Sequence, residues 1–289
     1  MVSTRRETIK MAPGNLSQPE PEIPDETALK AAESHSFDTM EESPDQAHVA
    51  EVAARFHNYL RGEAFSCIGG RAASVRDVVV HRHYRRLADA AVTRRFYNDL
   101  ERFALERHPR HEDFAVFAAT FDSPRDMTEK VFEHLLWRQL QILHEIDREL
   151  YEWAPGFESD AMADHFAYSI AAHPFFIVGL HSNASRLSRR FDWPALAFNS
   201  HVQFQRLRES GRMQRIRKIV RRRELALQGS LNPRLIDFGF RPESIRYSGR
   251  EVEPGWRCPF RVAGAYGPDS EDNTGPVDAG VERILYGEA

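Results

Sequence analysis

Apolar residues along this chain come in two textures, recurring every three or four positions in some stretches and gathering into short unbroken runs in others. The first texture predicts a helix from Pro44, with Ser43 or Asp45 as its cap. Val49, Val52, Ala53, Phe56 and Leu60 form its apolar stripe and Gly62 ends it. A second helix is predicted over roughly 88–106. A longer one runs from about Met127 to Tyr151, with Phe132, Leu135, Leu136, Leu143, Ile146 and Leu150 on one side. The second texture predicts strands at Phe114–Phe121, Phe166–Ile170, Phe175–Leu180 and Pro194–Phe198, plus a short strand at Phe65–Cys67 running into a glycine turn. Only Ala171-Ala-His-Pro174 separates two of these runs, a spacing that suits an antiparallel hairpin at the centre of a sheet better than a helical crossover. A helix from His201 to near Gly211 and a basic helix reaching about Gln228 follow.

The expected fold class is therefore α+β, a single domain with a mainly antiparallel or mixed central sheet of four or five strands flanked by helices. Residues 1–45 are rich in Pro, Glu and Ser and poor in large apolar groups, which predicts a disordered acidic tail. The folded domain is expected over 46–262 and an irregular C-terminal tail over 263–289. The chain is 42% apolar and 11% aromatic, and no apolar run approaches the roughly 20 residues that cross a bilayer. The charged start lacks an apolar signal segment, so no membrane association and a cytoplasmic location are expected.

The net charge of −4 is unevenly spread: residues 1–50 hold ten acidic and four basic side chains, and residues 201–250 hold four acidic and thirteen basic ones. The run Arg215–Arg223 could draw nucleic acid, but Met213, Ile216, Ile219, Val220, Leu225 and Leu227 give it an apolar side. A helix with a solvated arginine face is the better expectation. A third reading has some of those arginines binding anionic groups, haem propionates or a carboxylate, in bidentate pairs.

Several chemistries drop out on motif grounds. Ile68-Gly69-Gly70-Arg71 lacks both nucleotide-loop spacings, and neither a serine-hydrolase signature nor His-Glu-x-x-His occurs. His134 and His144 lie ten positions apart on one predicted helix and are expected to be partly exposed rather than co-ligands. His165, His173, His181 and His201 stand at strand ends among aromatics. Any one of them alone is better read as a hydrogen-bonded core position, but their concentration suits a mononuclear metal or haem; the aromatics around them would suit a macrocycle or an ordinary core equally well. Cys67 and Cys258 are too few for a disulfide framework and are read as reduced, with thiolate ligation of a haem as an alternative.

The order of short motifs is more specific than any one of them. His165-Phe-Ala-Tyr-Ser, Phe175-Phe-Ile-Val-Gly-Leu-His181, Phe198-Asn-Ser-His-Val-Gln-Phe204, Leu227-Gln-Gly-Ser-Leu-Asn-Pro233, Tyr247-Ser-Gly-Arg250 and Trp256-Arg-Cys-Pro-Phe260 resemble the YqcI/YcgG family. So do Phe65-Ser-Cys-Ile-Gly69 and Leu136–Asp147 upstream. The chain departs from the family pattern at His173-Pro174 and at Ser244-Ile-Arg246.

The resemblance implies a haem b cofactor with a histidine axial ligand, O2 as co-substrate and an external electron donor. The implied reaction is N-hydroxylation of a guanidine or amine, foremost L-arginine to Nω-hydroxy-L-arginine, in the biosynthesis of a specialised metabolite such as an antibiotic. Oxidation of an aminoimidazole amine to a nitro group, and a non-catalytic haem or small-molecule binder, are the alternatives. His165, beside Asp164, is expected as the iron ligand ahead of His181. Arg186, Arg189 and Arg190 are expected at the propionates, and Asn199, His201 and Gln203 along the pocket. Glu133 and Glu145 are the expected carboxylates for a guanidinium. A homodimer is left open.

Overall fold

The computed structural model describes residues 45–107, 114–231 and 242–262, all within one compact unit that begins at Phe37. The expected tails at 1–45 and 263–289 lie outside the described residues, apart from Asp45. The first helix, α1 (Gln46–Arg61), starts where the Asp45 carboxylate accepts the Ala47 amide, and it buries Val52, Phe56 and Leu60. Five strands follow in one open mixed sheet: β1 (Val79–Arg86), β2 (Val116–Ser123), β3 (Tyr168–Ile170), β4 (His173–Leu180) and β5 (Ala195–Ser200). Their order is β1-β2-β5-β4-β3. Only the β1–β2 pair is parallel.

The crossover between the parallel strands carries α3 (Ala90–Arg107), and α4 (Glu129–Asp147) leads from β2 toward the hairpin. With α2 (Ile68–Val75), α5 (His201–Glu209) and α6 (Arg212–Gln228), six α-helices flank the sheet among the described residues. The fold is thus α+β with a mixed sheet. The β3–β4 hairpin forms as its sequence predicts, but it lies at one side of the sheet with β3 at the edge. The central strand is β5, paired with β2 and with β4.

Two further expectations are corrected. The run after Phe65 is the start of α2, with Cys67 at its N-cap, rather than a strand. Gly70 inside that helix is demanded by packing, because a Cβ there would stand 2.7 Å from the Phe65 ring. Strand β1, Val79-Val-His-Arg-His-Tyr-Arg-Arg86, carries few apolar residues for a strand, and its periodicity gave no warning of it.

The period-two alternation of the strands sorts the core into two unlike halves. Toward α3 and α4 the sheet presents Phe117, Phe121, Phe175, Ile177 and Phe198, which pack with Phe96, Phe103, Phe132 and Leu136. Toward α1, α2, α5 and α6 it presents Val116, Ala118, Ala195, Ala197 and Leu180. Aromatic bulk fills the first half. Small side chains on the second leave space beneath the helices.

Candidate functional site

That space is a cavity of about 210 Å³, below the roughly 300 Å³ at which pockets for drug-sized ligands begin. Its floor is Val116, Phe176, Val178, Leu180, Ala197 and Asn199 of the sheet, and its walls come from α1, α2, α5 and α6. Helix α6 supplies Met213, Ile216, Val220 and Glu224 at spacings of three and four, so one stripe of the helix faces the cavity. Arg217 and Arg221 flank that stripe and line the cavity as well. Leu225, an expected member of the buried side, is 52% exposed.

Glu224 is the carboxylate that the sequence reading missed. It is 2% exposed, lines the cavity, and accepts a short hydrogen bond from the Ser66 hydroxyl. The signal was present: Glu224 is the only acid in Arg212–Gln228, and it falls on the apolar stripe instead of the solvated face. Next to Ser66, Cys67 also lines the cavity, at the N-terminus of α2. Gly69 follows on the same wall, and a Cβ built on it would lie 3.7 Å from the Cys67 sulfur, so that flank of the thiol is left open by the glycine. Cys258, by contrast, is fully buried in the aromatic half of the core, where burial pushes its thiol pKa up and keeps it protonated.

Of the residues singled out from sequence, Arg189, Asn199 and Gln203 meet at the cavity. The Arg189 guanidinium donates to the carbonyls of Gly179 (2.9 Å), Tyr247 (3.3 Å) and Arg246 (3.2 Å), which fixes it in place. Asn199 donates to the Phe176 and Ala197 carbonyls. Gln203 is 4% exposed, and its side-chain oxygen has no hydrogen-bond partner among the described residues. An acceptor left bare in a buried wall is costly unless a guest donates to it.

The remaining candidates lie elsewhere. His165 and Asp164 are exposed on the loop before β3, away from the cavity, so the expected iron ligand is not at the pocket. His181 is buried but points to the other face of the sheet, as the alternation along β4 requires: Phe176, Val178 and Leu180 face the cavity and His181 does not. Its ring stacks on Phe132 with centroids 4.5 Å apart, and burial lowers its pKa to about 4. His201 places Nε2 2.8 Å from the Glu243 carboxylate. Arg186 donates to the Ser230 and Leu231 carbonyls beyond the end of α6, and Arg190 to that of Ala184.

Glu133 does hold a guanidinium, but it belongs to Arg250, whose Nε and terminal nitrogen lie 2.9 and 2.6 Å from Oε2. Glu145 binds Gln141 and Arg148 on the opposite side of the sheet. His134 is exposed as expected, whereas His144 is 3% exposed and packed between Trp153 and Phe260. No helix among the described residues is long and apolar enough to cross a membrane.

The cavity therefore joins a thiol at a helix N-terminus, a buried carboxylate, a bare amide oxygen and several arginines on apolar walls. A sulfur donor and wall arginines are the groups that could meet an iron and the carboxylates of a haem. At about 210 Å³ the interior alone is small for a macrocycle, so its mouth would have to take part. In comparisons with known proteins, the model of the YqcI/YcgG family matches residues 56–261, a span that contains Cys67 and every cavity residue named above. No curated protein and no solved structure matches the chain.

Proposed function

Because the chain belongs to the YqcI/YcgG family, we propose that it is a haem-dependent N-oxygenase that hydroxylates a guanidine or amine, foremost L-arginine, with O2 and externally supplied electrons. The observation that carries this reading is the placement of Cys67 and Glu224 in one cavity wall region, joined through Ser66. A bound haem would supply oxygen activation, and a thiolate ligand donates electron density that favours O–O cleavage. Cys67 is the residue that would hold it, because its thiol lines the cavity at the N-terminus of α2 beside the open flank at Gly69. Arg217, Arg221 and Arg246 on the walls are the residues for the propionates.

The other steps rest on the chain's own side chains. Glu224, shielded from water and fixed by Ser66, holds a cationic guanidinium by charge-assisted hydrogen bonds. The Gln203 oxygen accepts one N–H of the substrate and so limits which nitrogen is presented. Apolar walls from Phe56, Leu60, Phe65 and Leu207 keep bulk water from the reacting nitrogen.

The test begins with absorption spectra of haem-reconstituted protein, oxidised and after dithionite and carbon monoxide, for wild type, Cys67→Ser, His165→Ala and His181→Ala. The expected result is a Soret band of thiolate type that Cys67→Ser alone abolishes or shifts. A band that only a histidine variant changes would reassign the ligand, and the lack of any Soret band would sink the haem reading. With haem in place, turnover of L-arginine is followed as hydroxyarginine formed. Glu224→Gln is expected to raise KM by about 10- to 150-fold, the worth of one charge-assisted hydrogen bond.

A further inference from the structure

Beyond the far end of α1 from the cavity, three potential metal ligands converge on one point. His48 comes from the first turn of α1, His83 from β1 and Asp122 from β2. Each offers one donor atom, and the three atoms all lie within 4.8 Å of one another. His48 Nε2 stands 2.7 Å and His83 Nε2 3.1 Å from the same carboxylate oxygen of Asp122. Donors bound at about 2.0–2.1 Å to one ion sit roughly 3 Å apart, so small rotations would take these three to a shared centre.

The surroundings prepare the imidazole of His83 for this role. Its Nδ1 lies 2.8 Å from the Thr120 hydroxyl, and that hydroxyl has the Arg82 carbonyl 3.4 Å away to receive its own proton. The same hydroxyl lies 3.0 Å from His81 Nε2. Without a metal, a proton on His83 Nε2 faces the Asp122 carboxylate, which can only accept; a cation bound at Nε2 would move that proton to Nδ1, where Thr120 is placed to receive it. The His83 side chain is wholly buried, and Nε2 makes no well-aligned hydrogen bond in the structure. That poor alignment leaves the contact weak, so little is given up when a cation replaces the proton between the two groups. His48 and Asp122 are each about one-third exposed (35% and 34%), so the far side of the cluster opens to water and leaves coordination positions free.

We propose that His48, His83 and Asp122 form a binding site for a first-row divalent transition ion such as Zn2+, Co2+ or Fe2+. Two imidazoles and one carboxylate suit borderline ions of this kind better than Mg2+ or Ca2+, which take oxygen ligands. The site is independent of the haem reading: it shares no residue with the cavity, and His48 precedes the residues matched by the family. Its binding would tie α1, which forms a cavity wall, to the β1–β2 edge of the sheet.

The experiment is a Co2+ titration of full-length protein stripped of metal with a chelator, read by ligand-field absorption and by the shift in Tm. One equivalent is expected to bind and to raise Tm. Asp122→Asn and His48→Gln, both at partly exposed positions, are expected to abolish the one-equivalent signal, and Thr120→Val to weaken it by roughly 10- to 100-fold. Cys67→Ser is expected to leave it unchanged, which separates this site from thiolate binding in the cavity. Apo-protein Tm values show whether each variant is folded, and two ligand variants keep the test open if one is not. Failure to bind Co2+ at one equivalent, or equal binding by wild type, Asp122→Asn and His48→Gln, would overturn the proposal.

Discussion

Single side chains in this protein are governed by how water is excluded around them, and Asp147 shows the cost. It is 3% exposed and accepts hydrogen bonds from the Tyr97 hydroxyl (3.0 Å) and the Ala171 amide (2.8 Å). Burial nevertheless raises its pKa to about 6 from an ordinary 3.8. The folded chain thus keeps a proton at pH values where the unfolded chain has lost it, so stability falls as pH rises from about 4 through about 6. Asp147→Asn keeps the shape without the charge. Urea unfolding at pH 4 and pH 7 should show wild type losing on the order of 2 kcal/mol relative to the variant over that interval; parallel pH profiles would refute it. The residue scale is also where the sequence says least about position. Histidines draw attention as ligands wherever they stand, yet whether His165 or Cys67 meets a cavity depends on long-range packing. Asn199 and Gln203, expected along the pocket from the resemblance, line the cavity, while His201 beside them turns to Glu243.

At the scale of elements, the helices and most strands were legible because their patterns are local. Helix α1 begins and ends within a residue of its capping signals. The turn of the hairpin was harder to place. It consists of Ala171 and Ala172, both at positive φ (52° and 58°), as a primed two-residue turn demands. Alanine does not advertise that conformation as glycine or asparagine would, and Asp147 holds it in place by accepting the Ala171 amide. One glycine sets an element-to-element distance: a Cβ on Gly179 would stand 2.7 Å from the Phe132 ring and 2.9 Å from Leu136. Helix α4 therefore sits closer to β4 than any other residue would allow. Gly179→Ala should cost about 1–3 kcal/mol by overpacking, measured as a lower urea midpoint with an unchanged slope. Strand β1 escaped notice because its outer positions are arginines and its inner ones include His81 and His83, which hydrogen-bond Thr120 instead of supplying an apolar signal.

For the molecule as a whole, one face of the sheet is filled by aromatic bulk and the other borders the cavity, the division that the proposed function needs. Neighbouring residues of β5 test this division, since Ala197 faces the cavity and Phe198 the aromatic core. Phe198→Ala should destabilise by about 3–5 kcal/mol. Ala197→Leu should instead occupy free space, leaving Tm within a few degrees of wild type while ligand binding is lost. A comparable Tm loss in both variants would contradict the division. The fold class and strand number were legible from alternation and run length. Strand order was not, because nothing local in Ala195–Ser200 says that it inserts between two strands made earlier.

That insertion also dictates a sequence of events during synthesis. Strand β2 leaves the ribosome with β1 to pair with on one side, while the partner for its other side begins 72 positions after β2 ends. At about 5–20 residues per second the apolar edge of β2 waits roughly 4–14 s for its neighbour. During that time it is an open template for other chains, so a nascent or truncated protein that stops before β5 is the aggregation-prone form, and the middle strand acts as the keystone that ends the exposure.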